Sequence, residues 1–229
     1  MLRSELISKS PVRILEKSTH GGLAVGSIGA IVGPKGTGKT ACLVHIATDQ
    51  LLQNKHVVHV SFSDSADHIT TWYEDIYTEV SRRTNLENAQ EVHDEIVKNR
   101  IIMNFTQSGL HLQEIEKRLK SIIDNVDFHV DTVVVDCYDF AKATDDEIAE
   151  IKGFANKLGL SFWFGVAGSP KDQEPSILRN FREEDFELII RLQPQNDSVH
   201  LMLLKDHDNT DIHDMHLVLD PKTLLISKE

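Results

Sequence analysis

The sequence predicts an α/β fold in which a mainly parallel central sheet is flanked by helices and extended by antiparallel hairpins near the C-terminus. Between residues 28 and 166, strand-like apolar runs alternate with segments of helical periodicity. These runs lack a clear period of two, as is typical of parallel strands covered on both faces. After residue 186, strand-like segments follow one another through short connections, which indicates hairpins. A length of 229 residues fits one domain, residues 1–229.

The N-terminal part is expected to lead into the first buried strand. Residues 1–20 are predicted to form a short helix or an extension, followed by a lead-in strand around Val12–Leu15. The apolar run 28–33 predicts the first sheet strand, and a helix is expected over Lys39–Asn54.

The remaining elements follow from the same patterns. Strands are predicted at 57–62, 101–105, 132–136, 161–166, 186–192, 199–204, 213–219 and 224–226, and helices at 66–83, 86–99, 111–126 and 145–158.

A glycine-rich stretch between the first strand and its helix predicts a phosphate-binding loop. Residues 33–40 fit G-x-x-x-x-G-K-[ST] at each fixed position, with a strand before and a helix after. Glycines let successive backbone N–H groups approach an anion, and the helix N-terminus adds partial positive charge. A chance match in a glycine-rich turn is the alternative. The predicted nucleotide-binding residues are Gly33, Pro34, Lys35, Gly36, Thr37, Gly38, Lys39, Thr40 and Ala41.

A metal site is predicted beside this loop. The Thr40 hydroxyl is a ligand type that Mg²⁺ uses in such loops. Asp136 follows three valines, so it is expected at the carboxyl end of a central strand, opposite Thr40. A strand-end aspartate that caps the next turn is the alternative. The expected ligands are therefore ATP and Mg²⁺.

Three stretches together resemble the RecA-like ATPases. They are residues 21–27 before the loop, the apolar strand that ends at Asp136, and Leu203-Leu204-Lys205-Asp206-His207-Asp208. Within that superfamily, the chain is similar to the circadian-clock and recombinase-paralogue branch and to the replicative helicases. The resemblance implies a RecA-like core, ring or filament assembly as a homo-oligomer, and ATP held between subunits.

The same resemblance reveals departures from the family's catalytic groups. A glutamate that orients the attacking water is usual after the second strand, whereas this chain has Ser63 and then Asp64. Asp64 is the candidate substitute and, with Lys39, makes up the expected catalytic set. Cys137 stands where other ATPase branches carry a glutamate. The family commonly has a Lys-x-Arg motif whose basic side chains reach into the site of a neighbouring subunit. Lys205 and His207 stand at the two basic positions of this motif, but histidine lacks the bidentate guanidinium group of arginine.

Composition constrains the class of partner. The formal net charge of −12 opposes strong binding to nucleic acid or anionic membranes. The loops that would correspond to the family's DNA-contacting loops, residues 138–146 and 168–178, carry few basic residues. Two cysteines, no signal-like start and no long apolar run predict a soluble cytoplasmic protein without a membrane segment.

Two further groups of residues have alternative interpretations. The stretch 206–216 is rich in His and Asp, including His207, His213 and His216, but solvated hairpin residues explain it more simply than a metal site. Trp72, Tyr73 and Tyr77 are expected to pack a helix rather than stack on a base.

Together these observations predict a slow ATPase whose nucleotide state controls self-assembly or the binding of a protein partner. A nucleotide-binding regulator without turnover is the principal alternative. A DNA-recombination or helicase-type motor fits the charge poorly, and a kinase would need an acceptor pocket that the sequence does not reveal.

Overall fold

The computed structural model describes residues 1–105, 112–126, 128–140, 144–168 and 183–229. The helices are α1 (Arg3–Lys9), α2 (Pro11–Ser18), α3 (Lys39–Leu52), α4 (Ala66–Thr84), α5 (Ala89–Lys98), α6 (Leu112–Asn125) and α7 (Asp145–Leu158). The strands are β1 (Ile28–Gly33), β2 (Val57–Ser61), β3 (Arg100–Asn104), β4 (Thr132–Asp136), β5 (Ser161–Ala167), β6 (Leu188–Gln195), β7 (Ser198–Asp206), β8 (His213–Leu219) and β9 (Ile226–Lys228).

One sheet contains all nine of these strands in the order β3-β2-β4-β5-β1-β6-β7-β8-β9. Every neighbouring pair from β3 to β6 is parallel, and β6, β7, β8 and β9 pair in antiparallel fashion. This arrangement confirms the predicted α/β class with its C-terminal antiparallel extension, and it is consistent with a RecA-like core.

Apolar residues fill both faces of the sheet. On one face, α3 packs in a cluster that includes Leu43, Leu51, Tyr73 and Leu201. On the other face, the cluster includes Leu119, Phe154 and Phe164, and it lies beneath α6 and α7. Because β1, β2 and β4 are buried along their whole length, these parallel strands are mainly apolar and lack a period of two. Among the described residues, no helix has both the length and the apolar character that a membrane crossing requires.

The predicted lead-in strand at Val12–Leu15 is wrong, because these residues belong to α2. The Ser10 hydroxyl accepts a hydrogen bond from the Val12 N–H at 3.3 Å, and Pro11 occupies the first turn. Val12 and Leu15 are three residues apart, so both reach the core from one helical face. A cap and a proline at the helix start therefore outweigh the β-branched residues of the segment.

The last strand was also predicted too early. It begins at Ile226 rather than at residue 224, because residues 220–224 form a turn. The Asp220 carboxylate accepts hydrogen bonds from the Lys222 N–H and the Thr223 hydroxyl, and Leu224 has a φ of 60°.

A buried ion pair joins α2 to α3. The Arg13 guanidinium contacts the Asp49 carboxylate, whose side chain is only 3% exposed. Gln53 Nε2 donates a second hydrogen bond to Asp49 at 2.7 Å. The N-terminal helices are thus held to the helix that follows the phosphate-binding loop.

We predict that Arg13→Met lowers the free energy of unfolding by about 2–3 kcal/mol, because it leaves the buried Asp49 charge without its cation. Adding Asp49→Leu to this variant should restore most of the loss. Urea denaturation followed by circular dichroism measures both effects. Arg82→Met is the control, since Arg82 pairs with Glu79 at an exposed surface and its loss should change stability little. Equal effects of Arg13→Met and Arg82→Met would contradict this account.

Candidate functional site

The candidate site lies at the carboxyl ends of the parallel strands, where the chain passes from β1 into α3. Gly38 is the N-terminal cap of α3 and has a φ of 90°, in the left-handed region that favours glycine. Gly36 also lies in this region, with a φ of 82°. Two residues of the loop thus adopt a backbone conformation that favours glycine, and both are glycines. The loop and the start of α3 line one cavity.

Lys39 folds back over its own loop. Its Nζ donates hydrogen bonds to the carbonyl oxygens of Gly33, at 3.0 Å, and Pro34, at 2.7 Å. Burial lowers the pKa of the Lys39 ammonium, and the nearby Asp136 carboxylate opposes that shift. A half-buried cation at a helix start, whose hydrogen bonds within the described residues go to carbonyl oxygens, is electrostatically suited to an incoming anion.

Thr40 and Asp136 contact each other directly. Thr40 Oγ1 donates to Asp136 Oδ2 at 2.6 Å. The Asp136 side chain is almost completely buried, and its other oxygen, Oδ1, has no hydrogen-bond partner among the described residues. Burial raises the pKa of the Asp136 carboxyl, while hydrogen bonds from Thr40 and Cys137 lower it. A buried carboxylate with a free oxygen beside a hydroxyl fits a hard divalent cation such as Mg²⁺.

The contact between Thr40 and Asp136 depends on a glycine that sequence reasoning missed. Strand β5 lies between β1 and β4, so Asp136 does not end a strand adjacent to the loop. A Cβ at Gly165 of β5 would lie 2.7 Å from Asp136 Oδ1 and 3.0 Å from Leu43. A glycine at this position lets the carboxylate reach across β5 to the start of α3.

Asp64 lies close to Asp136. The potential ligand atoms of Asp64, Asp136 and Cys137 all lie within 4.8 Å of one another. The Ser61 hydroxyl accepts a hydrogen bond from the Asp64 N–H at 2.9 Å, and Asn104 donates to the Asp64 carbonyl. Burial and the nearby Asp136 raise the pKa of the Cys137 thiol to about 11, so this thiol is protonated near neutral pH.

A cavity of about 730 Å³ connects these groups. Its described lining includes the loop, Asp64, Asp136 and Asp139, and an apolar side that the sequence analysis did not assign to the site. That apolar side consists of Trp72, Val199, Leu219, Pro221 and Leu224. Trp72 was expected only to pack its helix, whereas Tyr73 and Tyr77, expected to do the same, are in the core. The other four residues are about 160 to 190 positions away from the loop in sequence, so no local pattern could reveal them.

Lys205 and His207 lie outside the described lining of this cavity. Lys205 Nζ donates to the Glu183 carbonyl at 2.8 Å, and His207 pairs with Asp206 and Glu187. Burial lowers the pKa of Lys205, and the neighbouring Lys152 adds to that shift. Of the two candidate DNA-contacting loops, residues 141–143 and 169–178 lie outside the described part of the chain.

We predict that Gly38→Ala destabilises the protein. A Cβ at this residue would lie 2.3 Å from the Leu219 side chain, in a backbone conformation that costs an L-residue about 1–2 kcal/mol. The free energy of unfolding should fall by at least that amount in urea denaturation. Gly153→Ala in α7 is the matched control: a Cβ there meets nothing within 4 Å, and alanine favours a helix by about 0.5–1 kcal/mol. Similar changes in both variants would contradict the described loop conformation.

Comparison with known proteins identifies the family. A family model described as "AAA domain" matches residues 4–152, which is more than half of the chain. The matched range contains the loop, Asp64 and Asp136. A search among curated proteins found no match. The chain therefore belongs to the AAA domain family of nucleotide-binding P-loop ATPases.

Proposed function

We propose that this chain binds Mg-ATP in the cavity beside α3, hydrolyses it slowly, and uses its nucleotide state to control assembly with copies of itself or with a protein partner. The observation that carries this proposal is the joint placement of Lys39 and the Thr40–Asp136 pair at one helix start. Family membership supports nucleotide binding and leaves the role of the chain open.

In the proposed complex, phosphate oxygens replace the carbonyl groups that Lys39 now contacts. Backbone N–H groups of the loop donate to the same phosphates. Thr40 and Asp136 would hold Mg²⁺, which supplies charge neutralisation at the phosphate oxygens. The apolar side formed by Trp72, Val199, Leu219, Pro221 and Leu224 offers contact to the less polar base of the nucleotide.

Slow turnover follows from the groups that line the site. Asp64, close to Asp136, is the proposed water-orienting carboxylate. The described lining contains no glutamate and no arginine. Because an arginine finger contributes roughly 10³ to 10⁵ in rate, Lys205 from a second copy would supply only part of that stabilisation.

Strand β8 would couple nucleotide binding to assembly. Leu219 ends β8, packs against the Gly38 position and lines the cavity. Strand β8 pairs with β9, the last strand of the nine-stranded sheet. A nucleotide that shifts Leu219 would therefore displace the C-terminal edge of the sheet, and such edges pair readily with other chains.

The second candidate function is a nucleotide-binding regulator without turnover. The observation that favours it is the chemistry next to Asp136. Position 137 is a cysteine with a raised thiol pKa, and position 63 is a serine, so neither position supplies a general base. In this alternative, ATP is a structural ligand and Asp64 has no catalytic role.

Mg-ATP binding is predicted to depend on Lys39. Lys39→Ala should weaken binding by about 10- to 100-fold in isothermal titration calorimetry, because a charge-assisted contact to phosphate is lost. Asp136→Asn should weaken binding in the presence of Mg²⁺ more than in its absence. Lys17→Ala, an exposed residue on α2, is the control and should bind as the unaltered protein does. Binding that is unchanged in Lys39→Ala would contradict the proposed site.

Substitution of Asp64 distinguishes the two candidate functions. If the chain is an ATPase, Asp64→Ala should abolish phosphate release under saturating Mg-ATP while changing the dissociation constant little. Asp67→Ala, an exposed neighbour at the start of α4, should retain the rate. Absence of turnover in the unaltered protein above the Lys39→Ala background, with Mg-ATP bound, would instead support the regulator.

A further inference from the structure

Three potential metal ligands come together on the C-terminal antiparallel part of the sheet, outside the candidate nucleotide site. They are His200 on β7, Asp214 on β8 and Glu229, which follows β9. Their ligand atoms all lie within 4.8 Å of one another, and His200 Nδ1 is 3.6 Å from Asp214 Oδ2. Two ligand atoms bound to one tetrahedral zinc ion at ordinary Zn–N and Zn–O distances are about 3.4 Å apart. The spacing of the imidazole and the carboxylate is therefore close to that of ligands that share an ion.

The His200 ring is held in an orientation that suits metal binding. Its side chain is 12% exposed, and Nδ1 is buried without a hydrogen-bond partner among the described residues. Nε2 lies 3.3 Å from the Ser198 hydroxyl. When Nε2–H donates to Ser198, the lone pair of Nδ1 faces the Asp214 carboxylate. Metal-binding histidines commonly have this arrangement, in which the second ring nitrogen donates to a neighbour.

The two carboxylates of the cluster favour binding of a cation. Within the described residues, the ion-pair partners of Asp214 and Glu229 are imidazoles, namely His200 and His216. The His216 N–H donates to Asp214 Oδ1 at 2.8 Å, which directs Oδ2 toward His200. In the other tautomer, Nδ1–H would face Asp214 Oδ2, but 3.6 Å is too long for a hydrogen bond. A metal ion would satisfy both the lone pair and the carboxylates.

We propose that His200, Asp214 and Glu229 bind one divalent transition-metal ion of the Zn²⁺ class, with Ser198 as a positioning residue. One imidazole and two carboxylates match the donor preference of Zn²⁺, Co²⁺ and Ni²⁺, whereas Mg²⁺ prefers oxygen donors alone. The ion would join β7, β8 and the end of β9. Strand β8 ends at Leu219, which packs against Gly38. The bound ion would therefore also stabilise the apolar side of the candidate nucleotide site.

This site differs from the one considered in the sequence analysis. Of the 206–216 stretch, only Asp214 is a proposed ligand, and His216 orients it. His207 pairs with Asp206 and Glu187, and His213 Nδ1 contacts the Asp211 carbonyl. His200 was missed because it lies on the preceding strand, and an irregular β7–β8 register brings it toward Asp214.

The test is a Zn²⁺ titration of metal-free protein by isothermal titration calorimetry without nucleotide. His200→Ala and Asp214→Asn should each weaken binding by more than about 10-fold, and Ser198→Ala should weaken it by about 10-fold. His213→Ala is the matched control on β8 and should bind as the unaltered protein does. Equal affinity of the unaltered protein and His200→Ala, or no Zn²⁺ binding at all, would overturn the proposal.

Two further measurements keep the result decisive. Cys137→Ser separates this site from the Asp64–Asp136–Cys137 cluster, and loss of all Zn²⁺ binding in that variant would overturn the proposal. If His200→Ala fails to fold by circular dichroism, long-range ¹H–¹⁵N NMR of the unaltered protein replaces it. Zn²⁺ should then shift the Nδ1 resonance of His200, and an unshifted resonance would overturn the proposal. None of these measurements includes nucleotide, so their outcome is independent of the proposed function.

Discussion

The hydrogen bond between Thr40 and Asp136 is the contact on which the arrangement of the candidate site depends. It joins the first turn of α3 to the end of β4, although β5 separates that strand from β1. Gly165 makes the contact sterically feasible, because a side chain at this position of β5 would clash with the Asp136 carboxylate. The cost of burying that carboxylate appears as its raised pKa, and one of its oxygens remains without a hydrogen-bond partner among the described residues. The fold thus keeps a carboxylate buried at a position where a bound ligand would offset the cost of its burial.

The same site connects the two halves of the sheet. Gly38 of the loop lies against Leu219, so the parallel core and the antiparallel extension meet at the helix start. The extension carries the apolar side of the cavity and, on β7, β8 and after β9, the proposed metal site. Ligands at either place would favour the same packing of β8. The two proposals therefore predict positive coupling between metal and nucleotide, as expected when two ligands stabilise one conformation.

Much of this architecture could be predicted from local sequence. The segments 132–136, 145–158 and 213–219 have the predicted bounds, because strong apolar runs, a Thr144 capping box and clear turns mark them. The segment 12–15 was misread because its capping signal at Ser10 was overlooked. The apolar side of the cavity, Gly165 and His200 could not be found in this way. Each acquires its role from a neighbour in the sheet that is distant in sequence, and strand order determines which neighbours meet.

The most direct test of the central claim is a crystal structure with Mg²⁺ and a non-hydrolysable ATP analogue. The account predicts that Lys39 Nζ leaves the Gly33 and Pro34 carbonyl groups and contacts phosphate. It also predicts Mg²⁺ between Thr40 and Asp136, with their present 2.6 Å hydrogen bond broken. A structure in which the analogue lies elsewhere, or in which Lys39 and Thr40 keep their present partners while the analogue is bound, would contradict it.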